Sequence, residues 1–537
     1  MRSSKLKRVL SLMCTVVLMA TSLFGCGEAE KVNTESEKQE VVQQTQESQT
    51  VEEEKLEYVE LDWYAGLEGQ PDKAIVVEKL NEYLLEKLNL KLNVVGFPAA
   101  EAAQKMTTMI NSGQDMGIIT IGAGVSYLEN ATKGAFYPMS ELLEKYGAGT
   151  LGMYSEDIWG ATKVDGEIYM IPTKKDLAQI TGLIYNSTMA EELGLNMEAA
   201  LSEIKDLADG EEFFKEVLKL RNEKYPEYVG KPILPNINHR VTPHFFGFEG
   251  FGINELAVCN IEGIGDFAGY DIDEVFNVYA TDEFRELCLL KQRLAEAGVI
   301  AADPDDPAIA DWSTAPYMFT RYAWGHTYVD KAIYSEEFDS ELYHFDKSWT
   351  SVDNILIAGS AISASCKHPE RAMMFLELLH TDPYLSTLLH FGVEGEHWVK
   401  DSKGVMTFEG TRNADPTNRG YYVWYGAFGN LMITDVPDSV GGPDNYSIKV
   451  LEECFNNALV PSHMGFVLDL TPIQNEIAAC NNVVAEYRKT LLTGNFESAD
   501  AVNKRVDEFN AKLVANGSEK IIAEVQAQLD AWISANK

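Results

Sequence analysis

Residues 58–122 read as strand, helix, strand, helix, strand with short loops between them, and that order constrains the fold more than any other part of the chain. "EYVELDWYA" alternates apolar and polar residues and ends near Trp63 and Tyr64, which is the period of a half-buried strand. Gly66, Gly69 and Pro71 mark a loop. Val76, Leu80, Leu84 and Leu88 then recur every four residues, the stripe of a helix lying on a sheet. "LKLNVVGF" is a second strand, and "AAEAAQKMTTMINSGQ" a second helix stopped by Gly113. "GIITIG" is a third strand, continuous in its apolar residues as a doubly covered strand is. Strands linked through helices form right-handed crossovers, so the stretch predicts a parallel sheet and an α/β fold class.

Ahead of this unit, Arg2, Lys5, Lys7 and Arg8 precede an apolar run over residues 9–25, the layout of a secretion signal. The run is broken by Ser and Thr and falls short of the roughly 20 apolar residues a membrane span needs. It ends in Leu23, Phe24, Gly25 and Cys26, the pattern of a bacterial lipobox whose cysteine is acylated and becomes the new N-terminus. Residues 27–57 hold ten acids, three lysines, no proline and no aromatic residue. Such a segment cannot bury enough apolar area to offset its ordering entropy, so a disordered acidic tether is expected.

The body from Tyr58 onward is too long for one core, and two lobes are expected. A formal net charge of −39 argues against nucleic acid or anionic lipid as a partner. Apart from Cys14 in the signal and Cys26, the cysteines are Cys259, Cys288, Cys366, Cys454 and Cys480, scattered and without a CxxC pair. That set is neither a disulfide framework nor a zinc site. Most are expected to be buried, small apolar residues, with one disulfide left open. Farther along, "DGEEFFKEVLKLRNEKYP" and "TDEFRELCLLKQRLAEAG" read as helices begun by Asp caps, "LIAGSAIS" as a strand, and "CKHPERAMMFLELLHTDPYLSTLLHFG" as two helices around a Thr-Asp-Pro turn. The last hundred residues are mostly helical.

"MINSGQDMGIITIG", "GAFYPMSELLEKYG", "VDGEIYMIP" with "GLIYNSTMAEELGL", and "TDEFRELCLLKQRLAEAGVI" occur in that order, followed by "AISASCKHPERAMMFLELLHTDPYLSTLLHFGVEGEHW", "GFVLDLTPIQNEIAACNNVVAEY" and "EVQAQLDAW". In this order and behind a lipobox, they resemble the extracellular solute-binding proteins of bacterial ABC importers, in the sugar-type lipoprotein branch, from about 58 to 532. Gly117 departs from the family, which often has an acidic residue there. The resemblance implies a two-lobed periplasmic-binding-protein-like fold of type II with a hinge. Its lobes are discontinuous: 58–172 with 356–425, and 173–355 with 426–537. Crossings are expected near "GEIYMIPTKKD", near "VDNILIAGS" and near 425–445. It also implies a monomer held by its lipid at the outer face of the membrane. That monomer would capture a sugar or oligosaccharide and pass it to a permease, without a cofactor, a metal or catalysis.

A sugar ring offers apolar C–H faces and a girdle of hydroxyls, so its site needs flat aromatic platforms beside fixed polar groups. Ligands of parallel α/β sheets bind outside the carboxyl ends of the strands. Trp63, Tyr64, Ser126 and Tyr127 are thereby candidates, although each aromatic suits a core equally well. Lys174 and Asp176 follow Pro172 at the first expected crossing. Trp324 and His326 in "RYAWGHTYVD" and Trp424 in "GYYVWYGAFGN" are further candidates. "GAGVSY" lacks the third glycine and the lysine of a nucleotide loop, and "DPDDP" lacks the glycine of a calcium loop.

"HFGVEGEHW" (390–398) packs two histidines, two carboxylates and a tryptophan together. Gly392 and Gly395 interrupt any helix that would align His390 with Glu394, and zinc needs three or four convergent ligands. The stretch is therefore either a cleft-mouth loop in which Glu394 accepts ligand hydroxyls, or a fold-locking turn bonded to its own backbone. A secreted glycoside hydrolase, or a binder of peptide or another polar solute, stays open, because carboxylate separation is set by the fold and invisible in sequence.

Overall fold

The computed structural model describes residues 56–536, apart from 123–124, 180–181, 205–206, 235–247, 252, 265–268, 302–317, 323–339, 345–346, 424–427, 438 and 440–445. Cys26, Trp324, His326 and Trp424 lie outside the described residues. Eight strands set the frame: β1 (Val59–Tyr64), β2 (Leu90–Val95), β3 (Ile118–Ile121), β4 (Ile171–Pro172), β5 (Gly182–Asn186), β6 (Phe319–Tyr322), β7 (Ser340–His344) and β8 (Gly359–Ile362).

Five of them form one sheet in the order β2-β1-β3-β8-β4. The first three are parallel, with Val59 opposite Leu90 and Trp63 opposite Ile118, as the alternation of strand and helix requires. Strand β8 runs antiparallel to both β3 and β4, so the full sheet is mixed. Its carboxyl edge collects the ends of β1, β2, β3 and β4 together with Gly359 at the start of β8. The helix Lys73–Leu88 buries Val76, Leu80, Leu84 and Leu88, the stripe read from the sequence. Gly117 has φ +58, and a Cβ there would collide with the Asp62 backbone. An acidic side chain is excluded at this position for a steric reason.

One face of the sheet packs against the helices Pro369–Thr381 and Pro383–Phe391 through Trp63, Leu80, Phe375, Leu376 and Leu388. The other face carries Tyr64, Ile119, Ile121, Tyr127 and Met170. A second lobe holds the antiparallel sheet β6-β5-β7 and two cores. Leu183, Val217, Leu290 and Phe319 belong to one of these. The other joins residues 248–288 to the C-terminal helices Gln474–Thr493, Ala499–Ala515 and Ser518–Asn536. The helix Asp282–Glu296 lies in both, giving Leu287 to one and Leu290 to the other. Its N-cap is Thr281, whose hydroxyl accepts from Phe284 N–H at 3.2 Å; the aspartate beside it occupies the first turn. All five body cysteines are buried and free.

The chain passes between the lobes three times, at about 177–183, 344–352 and 457–466. The passages lie side by side. Gln179 and Trp349 exchange two backbone hydrogen bonds of 2.6 and 2.9 Å. Thr350 N–H donates to Leu459 C=O at 2.9 Å, and Leu459 N–H donates to Ser348 C=O at 2.8 Å. Two expectations are corrected here. "VDNIL" is a short helix, Val352–Leu356, already inside the first lobe, so the return crossing precedes it. The third passage is not at 425–445, because Leu431, Val436, Ile448 and Leu451 pack with Phe391 and Trp398 on the first lobe. At the true passage, a Cβ on Gly160 would lie 3.3 Å from Gly465 Cα, so the two backbones touch.

Candidate functional site

The carboxyl edge of the mixed sheet is where a solute would meet this fold. Of the residues singled out there, Trp63 has no exposed surface. Its indole N–H points to Thr120 Oγ1 at 3.2 Å, and Phe375 and Phe428 meet its ring edge-on at 5.2 and 5.5 Å. In this structure it is a core residue and not a platform. Tyr64 is likewise buried beside Phe97. Tyr127 is buried with its hydroxyl donating to Thr162 C=O. A strand-end side chain that faces a helix-covered layer is taken up by that layer, and Trp63 and Tyr64 face opposite covered layers. Ser126 is exposed, and its hydroxyl caps the helix Tyr127–Thr132 by accepting from Glu129 N–H at 3.4 Å.

Lys174 and Asp176 sit where the first passage leaves the edge. Lys174 N–H donates to Gly429 C=O at 2.9 Å, and its C=O accepts from Leu431 N–H at 2.8 Å. Residues 429–431 therefore pair with the chain at Lys174, where it leaves the edge of the sheet. The Lys174 side chain lies 6.0 Å from the Phe455 ring, and Lys175 pairs with Asp176 at 3.3 Å. Just beyond, Gln179 Nε2 donates to Asn354 Oδ1 at 2.7 Å. Asn354 Nδ2 and Thr173 Oγ1 are buried without a partner. The segments flanking the passages thus carry charged, amide and hydroxyl groups, of which Asn354 Nδ2 and Thr173 Oγ1 are unsatisfied.

The 390–398 stretch resolves as a turn. His390 is buried in its helix, with Nδ1 2.8 Å from Ser386 C=O, and burial pushes its pKa down to about 4. His397 Nδ1 accepts from Val393 N–H at 2.9 Å. That bond fixes the ring proton on Nε2, 3.5 Å from Asp72 Oδ2. Burial lowers the His397 pKa against the opposing pull of Asp72. Trp398 donates its indole N–H to Gly392 C=O at 3.0 Å. Glu394 and Glu396 are exposed. No group of three or more His, Cys, Asp or Glu suited to a metal occurs among the described residues.

Sequence reasoning did not single out the residues that lock this turn to the edge. Asp72, at the end of the β1 loop, donates its N–H to Gly420 C=O at 2.9 Å and meets Arg412 Nε at 3.3 Å. Gln70 Oε1 accepts from Tyr422 N–H at 2.8 Å. A Cβ on Gly420 would overlap the Asp72 carboxylate. Only the glycine in "NRGYY" hinted at so close an approach. A polar cavity of about 680 Å³ lies elsewhere, in the second lobe. It is lined by Tyr185, Ser187, Asn196, Glu198 and Glu341 at the end of β5 remote from the passages.

Comparison with known proteins fits this geometry. The crystal structure of an N-glycan transport solute binding protein from Streptococcus pneumoniae matches with a TM-score of 0.70 at 22% identity, over 89% of this chain and 100% of that one. The chain has the solute-binding-protein fold. An extracellular solute-binding protein from Bifidobacterium longum subsp. infantis shares it at a TM-score of 0.60 and 15% identity, over 88% of this chain and 98% of that one. In sequence, the chain is 25% identical over 474 residues to a carbohydrate ABC transporter substrate-binding protein of Streptococcus pneumoniae serotype 4, covering 85% of this chain and 87% of its relative. Residues 462–534 match a family model described as a domain of unknown function, DUF3502. In a solute-binding-protein fold, the three adjacent passages are the hinge.

Proposed function

We propose that this chain is the lipid-anchored binding component of an ABC importer, capturing an oligosaccharide between its lobes and handing it unaltered to a membrane permease. One observation carries the reading: the similarity to a carbohydrate ABC transporter substrate-binding protein extends over nearly the whole of both chains, so both lobes and the hinge correspond. The N-glycan transport protein that shares the fold has been crystallised with Man1GlcNAc and Man5GlcNAc, which favours a glycan of more than one sugar. Anchoring through Cys26 at the outer membrane face, a monomeric state and the absence of catalysis belong to the same proposal.

Capture follows from the hinge. A solute touching both lobes favours their closed arrangement by the difference in its affinity for the two forms, and closure is a rotation about the passages. Ser126 and Glu394, which are exposed, and the partly buried Lys174 and Asp176 are the polar groups we assign to the solute, with Trp324, His326 and Trp424 as its remaining contacts. Carboxylates and amides accept or donate to ring hydroxyls, and the lysine supplies a fixed donor. The two buried donors without partners, on Asn354 and Thr173, are released or paired when the passages shift.

The test is thermal unfolding of the purified body against a panel of neutral and charged oligosaccharides and peptides, with chromatography of the panel afterwards. A rise in Tm with an oligosaccharide recovered intact supports the proposal, since a ligand that binds only the folded state stabilises it by mass action. Shortened oligosaccharides in the same tubes identify a hydrolase. Stabilisation by peptides alone overturns the sugar assignment.

A further inference from the structure

Arg419 differs from the seven other arginines whose side chains are described. Arg285, Arg293, Arg412, Arg488 and Arg505 each meet a carboxylate, while Arg221 and Arg371 direct their guanidinium groups at backbone carbonyls. Arg419 has neither. Its Nε is buried without a partner. Its guanidinium carbon lies 3.9 Å from the centre of the Tyr422 ring and 4.8 Å from that of Phe408.

The group is also held still. Asn413 Oδ1 accepts from the N–H groups of Gly420 and Tyr421 at 2.9 and 3.2 Å, and Gln70 fixes Tyr422 as described above. The Phe408 and Tyr422 rings, set edge to face at 73°, hold the guanidinium between them on a backbone that is itself fixed, and its terminal nitrogens carry no carboxylate. Through Gln70 and Asp72 this backbone is attached to the β1 loop at the carboxyl edge.

We propose that Arg419 is a specificity-determining residue that selects a solute carrying a carboxylate, that is, an oligosaccharide with an acidic sugar. A guanidinium edge matches a carboxylate with two parallel N–H···O bonds, a fit that no ring hydroxyl reproduces. The aromatic stack removes the side-chain entropy cost of presenting it. The inference rests on the oligosaccharide reading above.

The probe is an immobilised panel of glycans, each present as a neutral form and as a uronate- or sialate-capped twin. The wild-type body is expected to hold capped glycans about tenfold more tightly than their twins, the margin of one charge-assisted contact, and to lose the preference as salt is raised. Arg419→Met keeps the stacking volume and is expected to bring the two forms to within about threefold by weakening the capped glycans alone. Equal capture of both forms by the wild type overturns the proposal, as does a preference that survives Arg419→Met. If no glycan is captured at all, the oligosaccharide reading itself falls, which is a distinguishable result. Should Arg419→Met fold poorly, Arg419→Gln is the second variant, expected to show the same loss of preference, and a preference retained there overturns the proposal.

Discussion

The turn at 390–398 and the segments 173–179 and 349–356 that flank the passages contrast in how their polar atoms are used. The turn is dense in histidine, carboxylate and tryptophan, the residue types of chemistry; its His Nδ1 atoms and the Trp398 indole bond to nearby backbone, while His397 Nε2 is buried without a hydrogen bond, 3.5 Å from the Asp72 carboxylate. The passages read as an ordinary Lys-Lys-Asp segment and a strand, yet they leave Asn354 Nδ2 and Thr173 Oγ1 buried without partners. A stranded buried donor costs about 1–3 kcal/mol, so any lobe movement that pairs one gains that amount. Polar composition therefore does not locate function here. Both regions keep an unsatisfied buried donor, and what separates them is that Asn354 and Thr173 flank the passages where the chain moves between the lobes.

The largest effect that sharpens this contrast is at a residue outside both regions. Trp63→Ala empties a fully buried site between Phe375 and Phe428 and is expected to cost about 3–5 kcal/mol in chemical denaturation. Any loss of affinity should then track loss of folded protein. A ligand-binding defect without destabilisation would return Trp63 to the solute.

Acid probes the turn side next. Burial first of all lowers the pKa values of His380 and His390 to about 4. Both must charge on unfolding at a pH where the native state keeps them neutral, so stability is present above pH 6.5 and lost as pH falls toward 4. The loss is roughly 3 kcal/mol for each group. His390→Gln should remove one group's share of the slope in urea midpoints between these values, and an unchanged slope would contradict the assignment.

Alkali probes the hinge. Glu249 lies in the second lobe, fully buried, and its carboxyl accepts from Phe251 N–H at 3.2 Å and, across the lobe boundary, from Val352 N–H at 2.8 Å. Burial, and then Asp353, raise its pKa. The unfolded chain loses this proton first, so the group's contribution is present below the ordinary carboxyl range and lost as pH rises through neutrality. Glu249→Gln should flatten that alkaline decline, measured by thermal unfolding across pH.

Smaller changes fall on the proposed contacts. Lys174→Ala should weaken the best oligosaccharide by about 1–2 kcal/mol in calorimetric titration with Tm unaltered. Glu394→Gln should leave folding stability within about 0.5 kcal/mol, which separates any binding role from a structural one.

Much of the first lobe was legible because its signals are local. The four-residue stripe before Leu88 and the alternation before Tyr64 need only their own periods to be read, and the hairpin of helices around Asp382 announces its turn. The burial of Trp63 was not legible, because Phe375 and Phe428 arrive from more than 300 positions away and only the fold brings them there. The third passage was misplaced for a related reason. The aromatic alternation of 420–430 looks like a strand, but Phe428 and Leu431 are drawn into cores made by Trp63 and Phe391. Arg419 and Glu249 carry no sequence signal, since what marks the one is the lack of an acid beside it and what marks the other is burial.

The most direct measurement is small-angle X-ray scattering of the purified body, free and saturated with the oligosaccharide that stabilises it most, followed by mass spectrometry of that oligosaccharide. Two lobes closing about the passages around an unmodified solute should shrink the radius of gyration and return the glycan at its original mass. An unchanged radius at saturation, or a glycan recovered in pieces, would contradict the account.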